Sequence, residues 1–196
     1  MAKHKTRALA LSYATVIYNL LEGLVSVGFA LAAGSPALLG FGIDSFVESL
    51  SGMIMIWRFS GIHDDERREQ RAVRLVGISL VILAAYVAYD AITALYYGDA
   101  PQPNIAGLVI AVVSLIVMPT LYLLKRRTAR VLHSRSLFTD AKQTLACIML
   151  SVALLVGTGL HYTIGWWQAD PLAALVIAAY LIREGYEALA EQELCC

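Results

Sequence analysis

The sequence predicts an all-α integral membrane protein with six transmembrane helices and both termini in the cytoplasm. Its 196 residues are 59% hydrophobic and 15% charged, whereas about a quarter of the residues in a soluble domain are charged. Six apolar segments alternate with short polar stretches, and each approaches the roughly 20 residues that cross a bilayer. The basic residues gather in alternate connections, which is typical of cytoplasmic loops.

The first two predicted helices are joined by a turn at Gly34, Ser35 and Pro36. The first apolar run is too long for the apolar part of a signal peptide, and it contains Asn19 and Glu22. We therefore interpret it as a transmembrane helix rather than a cleaved leader. The second run follows the turn directly and is also long enough to span a membrane.

The other four predicted helices are separated by polar segments and helix breakers. A charged segment at 60–74 precedes the third helix, a Pro-containing turn at 98–103 precedes the fourth, and a basic segment at 125–135 precedes the fifth. Trp166 and Trp167, which are typical of a membrane interface, precede the sixth. The approximate helix bounds are 8–33, 37–59, 75–97, 104–124, 137–160 and 170–189. Residues 1–196 are thus expected to form a single membrane domain with no soluble domain.

The positions of Lys and Arg predict the orientation of the chain. If there are six spans, one side of the membrane holds nearly all of the basic residues. These residues lie at the start of the chain, at 60–74, at 125–135 and at the C-terminal end. Lys142, within the first turns of the fifth helix, is the exception. The formal net charge of zero gives no reason to expect a nucleic-acid partner.

The second helix carries two acids, Asp44 and Glu48, on adjacent turns of one face. A charge near the bilayer centre costs roughly 2.5–3.5 kcal/mol on insertion scales, and such residues usually mark ion or proton paths. Asp140 on the fifth helix would join them if the two helices pack together. A proton, a cation or a buried basic partner must neutralise these acids, and Lys142 is the only basic residue expected near them. The alternative is that the acids are neutral and bond to neighbouring hydroxyl groups.

Further polar residues in the predicted helices are weaker candidates. Glu22, Asn19, Asp90 and His133 are candidates for a proton or ion path, because intramembrane polar groups are rarely retained without a partner. Cys147 lies in an apolar run and is expected to pack in the core, as free cysteines commonly do.

Two segments resemble the membrane domain of the cation diffusion facilitators. GSPALLGFGIDSFVES, at 34–49, resembles the start of their second helix, and WWQADPLAALVIAAYLIREGYEAL, at 166–189, resembles their sixth helix. The resemblance implies export of a divalent cation in exchange for protons. It also implies a homodimer, which here would form through the membrane helices. The ion site would comprise Asp44, Glu48 and Asp140.

The chain departs from the family pattern in two respects. Ser136 stands where the family usually carries His or Asp on the fifth helix, so Gln143, a water molecule or Glu22 would have to complete the site. The cytoplasmic C-terminal domain of the family is also expected to be missing.

The expected function is therefore transport of zinc, manganese, iron, cobalt or cadmium across a bacterial plasma membrane. The ion would be a substrate, and no prosthetic cofactor is expected. An enzyme is not expected, since no nucleophile–base arrangement or phosphate-binding loop is present. Two alternatives remain open: a proton-coupled exporter of an organic cation, and a membrane assembly or regulatory protein that keeps the fold without transporting.

Overall fold

Six α-helices make up the protein in a computed structural model that describes residues 2–33, 36–61, 66–98 and 105–190. No strand occurs within these ranges. The helices are α1 (Ala2–Ala33), α2 (Pro36–Phe59), α3 (Glu66–Tyr97), α4 (Ile105–Leu132), α5 (Arg135–Ile164) and α6 (Ala169–Ala190). The all-α fold with six helices is confirmed. The predicted turns at 34–35 and 99–103 lie outside the described residues.

Two helices extend well beyond the apolar segments that predicted them. α3 begins at Glu66 rather than near 75, and α4 continues to Leu132 rather than ending near 124. The added turns are rich in Glu, Arg, Ala and Leu, which favour helix, so the helix continues after the apolar run has ended. Lys125, which the sequence placed in a basic connection, consequently lies inside α4.

Five helices, α1 to α5, are long and apolar enough to cross a membrane. The sixth predicted span is shorter, at 22 residues, and carries four charged residues, namely Asp170, Arg183, Glu184 and Glu187. Large apolar side chains are exposed along most of the helices, for example Leu31, Tyr96 and Val176. Such exposure suits helices that face lipid. The cytoplasmic position of the termini stays a prediction.

Glycines allow two pairs of helices to approach closely. A Cβ atom on Gly23 of α1 would lie 3.2 Å from the carbonyl oxygen of Gly42 on α2. A Cβ atom on Gly185 of α6 would lie 3.0 Å from the carbonyl oxygen of Gly77 on α3. Small residues at such contacts let helix backbones pack together in a bilayer. α1 therefore pairs with α2, and α3 with α6.

α5 lies at the centre of the fold, in contact with α2, α3, α4 and α6. An apolar cluster around Leu83 and Leu181 joins it to α3 and α6. A second cluster around Met55 and Leu137 joins it to α2, α3 and α4. The packing of α5 against α2 is the arrangement expected from the sequence, and it brings the acids of both helices into the same region.

Candidate cation site

Asp44 and Glu48 lie on the buried face of α2, with 5% and 0% of their surfaces exposed. The two carboxylates are close enough to repel each other. Among the described residues, Asp44 Oδ1 and Glu48 Oε2 have no hydrogen-bond partner. Buried polar atoms are nearly always hydrogen-bonded, so two such oxygens on adjacent turns are unusual. They are the atoms of this pair that remain available to a ligand.

The α5 residue that faces this pair is Cys147, which the sequence led us to expect only in core packing. Its buried thiol lies near both Asp44 and Glu48, without a hydrogen bond to Asp44 Oδ1 or Glu48 Oε2. One turn earlier, Thr144 Oγ1 donates to Glu48 Oε1 at 2.6 Å. The α2 acids therefore meet α5 at positions 144 and 147, further along the helix than Asp140.

Asp140 is fully buried, but it is already paired. Lys125 Nζ lies 2.9 Å from Asp140 Oδ2, and Ser51 Oγ donates to Asp140 Oδ1 at 2.6 Å. The same ammonium donates to Thr144 Oγ1 at 2.9 Å and lies 3.8 Å from Glu48 Oε1. Lys125 is thus a buried counter-charge between the two acids.

The expectation that Lys142 is the only base near these acids is therefore wrong. Lys142 is 27% exposed at its side chain and pairs with Glu184 of α6. Lys125 takes the inner position because α4 continues through it as helix. The helical continuation carries its side chain to α5, where it meets Asp140 and Thr144.

Ser136 belongs to a different polar group from the one predicted. Its hydroxyl donates to Glu69 Oε2 at 2.9 Å, and its backbone N–H donates to Glu69 Oε1 at 2.8 Å. Arg58 Nε lies 2.5 Å from Glu69 Oε2. Ser136 therefore joins the ends of α2, α3 and α5, where its hydroxyl bonds to Glu69 instead of reaching the acids of the site.

Gln143 is fully buried and lies one turn before Cys147 on α5. Its Oε1 accepts a hydrogen bond of 3.3 Å from Ser79 of α3. Its Nε2 has no partner within the described part of the chain. Gln143 is therefore near the site along α5, but its amide oxygen is turned to α3.

The acids do not converge into a ready metal centre. Across the described ranges, no three His, Cys, Asp or Glu side chains lie close enough together to hold a metal ion. The sequence predicts a single acidic cluster, whereas the structure contains two groups of residues, and Glu48 lies next to both. One group is Asp44 with Cys147, and the other is Asp140 with Lys125.

Two of the predicted path residues lie on the inner face of α1. Glu22 is 8% exposed and accepts from Tyr18 at 2.9 Å and from Ser45 at 3.0 Å. It also interacts electrostatically with Glu48. Asn19 is fully buried, and neither atom of its amide group is hydrogen-bonded to a described residue. Both residues therefore extend the polar interior from α2 towards α1.

The other two predicted path residues lie at the surface. Asp90 is exposed on the last part of α3. His133 is exposed between α4 and α5, with a positive φ of 51°. It lines a cavity of about 630 Å³ together with Glu69, Lys142 and Glu184. His133 thus stands at one end of the bundle, apart from the buried acids.

Comparison with known sequences places the chain in a family. The sequence model of the cation efflux transmembrane domain matches residues 12–192. The chain belongs to the cation efflux family. The Cation-efflux pump FieF of Shewanella oneidensis is 26% identical over 166 residues, which cover 80% of this chain and 56% of the pump. The chain thus spans little more than half of the pump's length, and membership of this family supports its location in a membrane.

Two further members are similar over nearly the whole chain. The uncharacterized transporter sll1263 of Synechocystis is 25% identical over 209 residues, covering 96% of this chain and 67% of that protein. Transmembrane protein 163 of Xenopus laevis is 22% identical over 190 residues, covering 95% of this chain and 67% of that protein. The resemblance seen in the second and sixth helices thus extends through the entire bundle.

Proposed function

We propose that this cation efflux protein exports a divalent metal ion in exchange for protons. The ion would bind at Asp44 and Glu48 of α2, and Cys147 of α5 would have to move towards them, because the three side chains do not lie close enough together in this structure to hold a metal ion. The observation that carries the proposal is the pair of buried carboxylate oxygens, Asp44 Oδ1 and Glu48 Oε2, that have no described partner. A cation would supply the missing partner of both oxygens at once.

The donor set favours a borderline or soft divalent ion. Carboxylate oxygens suit hard and borderline cations, whereas a thiolate selects softer ones such as zinc and cadmium. Asp44, Glu48 and Cys147 combine both types. Zinc and cadmium therefore fit better than manganese, with iron and cobalt between them. Gln143, one turn before Cys147 on α5, would be a further donor if its amide oxygen left Ser79.

Proton exchange follows from the burial of the acids. When the ion leaves, Asp44 and Glu48 are again two like charges in an apolar interior, and protons are the simplest replacement. Glu22, which interacts with Glu48, extends the acidic groups towards α1. Alternating exposure of a fixed site, as in other secondary transporters, would then couple the two fluxes.

The assembly and membrane of this protein are part of the same proposal. Bacterial relatives that include an efflux pump support a bacterial plasma membrane. The apolar outer faces of the helices offer lipid-facing surface, and a homodimer through membrane helices would cover part of it. The uptake of protons and the release of metal ion would occur within each six-helix bundle.

A non-transporting membrane protein with the same fold is the second candidate. It is favoured by Lys125, which already neutralises Asp140 and approaches Glu48. A bundle whose acids are all internally paired would need no mobile ion. Asp44 argues against this reading, because Lys125 does not pair with it and Asp44 Oδ1 has no partner among the described residues.

Zinc flux into proteoliposomes tests the proposal. Asp44→Asn should lower the rate by at least about tenfold, as expected when a residue of a metal site is changed. Asp170→Asn, in the first turn of α6, is the matched control and should transport as the unaltered protein does. Unchanged flux in folded Asp44→Asn would rule out the proposed site.

A further inference from the structure

Lys125, like Glu48 and Asp140, is a fully enclosed charged residue of the described part of the chain. Its side chain has no exposed surface, and it is the largest fully buried side chain among the described residues. Three oxygens surround its ammonium: Asp140 Oδ2 and Thr144 Oγ1 at 2.9 Å each, and Glu48 Oε1 at 3.8 Å. An ammonium has three donors, so this arrangement nearly satisfies it.

The distances divide the two carboxylates into different roles. Asp140 Oδ1 accepts from Ser51, and Asp140 Oδ2 forms an ion pair with the ammonium, although it makes no hydrogen bond to a described residue. Glu48 lies almost 1 Å further from the ammonium at 3.8 Å, and its other oxygen has no described partner. Glu48 is therefore shared between Lys125 on one side and the space next to Asp44 and Cys147 on the other.

We propose that Lys125 is a tethered competitor of the transported ion for Glu48, and that Asp140 holds Lys125 back rather than binding the ion. The inference rests on the proposed function, since it assumes an ion between Asp44 and Glu48. Lys125 and Asp140 are then positioning residues, because the contact between them determines how strongly Glu48 interacts with the ion.

The balance of charge fits a divalent ion whether or not Asp140 binds it. With Asp44, Glu48 and Asp140 ionised and Glu22 protonated, the one ammonium leaves an excess of two negative charges, which matches one divalent cation. A monovalent ion would leave one charge uncompensated in the interior, where charges are costly. The Lys125–Asp140 pair thereby favours a divalent over a monovalent substrate.

Removal of Asp140 weakens ion binding in either role, but the two roles differ in the effect of a second change. If Asp140 only restrains Lys125, then in Asp140→Asn the ammonium turns to Glu48 and weakens ion binding. A second change, Lys125→Met, then removes the competitor and restores binding. If Asp140 is itself a ligand, the second change cannot restore what the first has lost.

The experiment measures zinc binding to the purified full chain by calorimetry, in detergent and at one pH and one salt concentration, for the unaltered protein, Asp140→Asn, Lys125→Met and the double variant. We expect Asp140→Asn to bind zinc about tenfold more weakly than the unaltered protein, within the range common for coupled sites. We expect Asp140→Asn with Lys125→Met to bind at least as tightly as the unaltered protein. Lys142→Met, which removes a lysine paired with Glu184, is the control and should leave zinc binding unchanged.

Weak binding by both the single Asp140→Asn variant and the double variant would overturn the inference, because it would make Asp140 a ligand. Unchanged binding in Asp140→Asn would also overturn it. If Asp140→Asn does not fold, the double variant alone is measured, because replacing a whole buried ion pair is often tolerated. Weaker zinc binding by the double variant than by the unaltered protein would then contradict the inference. Absence of binding in every protein, with cadmium as well as zinc, would instead refute the proposed function and the inference with it.

Discussion

At the scale of single residues, the thiol of Cys147 distinguishes this site from one made of oxygen ligands only. It lies near both Asp44 and Glu48, on the buried face of α5. Because thiolates prefer soft ions, this residue should determine which metal the site prefers more than how tightly it binds metals in general.

Cys147→Ser should therefore lower cadmium affinity much more than manganese affinity. We expect a loss of about tenfold or more for cadmium, and a small change for manganese, since a hydroxyl keeps an oxygen in place of the sulfur. Competition binding to the purified variant measures both values. A parallel loss for the two ions would show that the sulfur of Cys147 does not determine which metal the site prefers.

The sequence identifies some of these residues and misses others for physical reasons. Asp44 and Glu48 are evident because acids are rare in apolar helices and their spacing places them on one face. Cys147 is not evident, because a buried cysteine usually packs as a small apolar residue. Cys147 follows Gln143 by four residues and so lies on the same helix face, which is the one feature of the sequence that could have indicated its place in the site. Lys125 is hidden because the length of α4 beyond its apolar part is not encoded in hydropathy.

At the scale of helices, Glu69 links three helix ends. It accepts from Arg58 of α2 and from the hydroxyl and backbone N–H of Ser136, at the first turn of α5. It also accepts from the N-cap residue Ser134 at 2.8 Å. A carboxylate at a helix N-terminus is stabilised by the unpaired N–H groups there.

Glu69→Gln should weaken this junction, because a neutral amide replaces several charge-assisted hydrogen bonds. Bonds to charged groups contribute about 1.5–3 kcal/mol each, so the loss should exceed about 1.5 kcal/mol of unfolding free energy. Glu66→Gln, an exposed position one turn earlier, is the control and should change little. Titration with a denaturing detergent measures the unfolding free energy of both variants. Equal stability of the two variants would contradict the assigned role of Glu69.

The glycine contact between α3 and α6 gives a second prediction for helices. A Cβ atom on Gly185 would lie 2.7 Å from Val81 Cγ2, too close for normal packing. Gly185→Ala should therefore lower stability by about 1–3 kcal/mol, as overpacked sites do. Gly159→Ala, where a Cβ meets nothing within 4 Å, should not lower it. Thermal unfolding of both variants compares them, and equal melting temperatures would argue against close packing of α3 on α6.

At the scale of the molecule, the bundle has an apolar outside and a polar centre. Sequence patterning predicts the outside, because span length and the positions of breakers follow from hydropathy. It does not predict which polar groups meet inside, because that depends on how helices rotate against one another. The meeting of Glu48 with Thr144 rather than with Ser136 is such a case.

The central claim is that the buried acids exchange a divalent ion for protons, and simultaneous recording of both fluxes tests it most directly. Proteoliposomes would contain a pH-sensitive dye and a zinc-sensitive dye, with zinc added outside. We predict that zinc enters as protons leave, and that both fluxes are lost together in Glu48→Gln. Zinc entry without proton movement, or equal fluxes in Glu48→Gln and the unaltered protein, would contradict the claim.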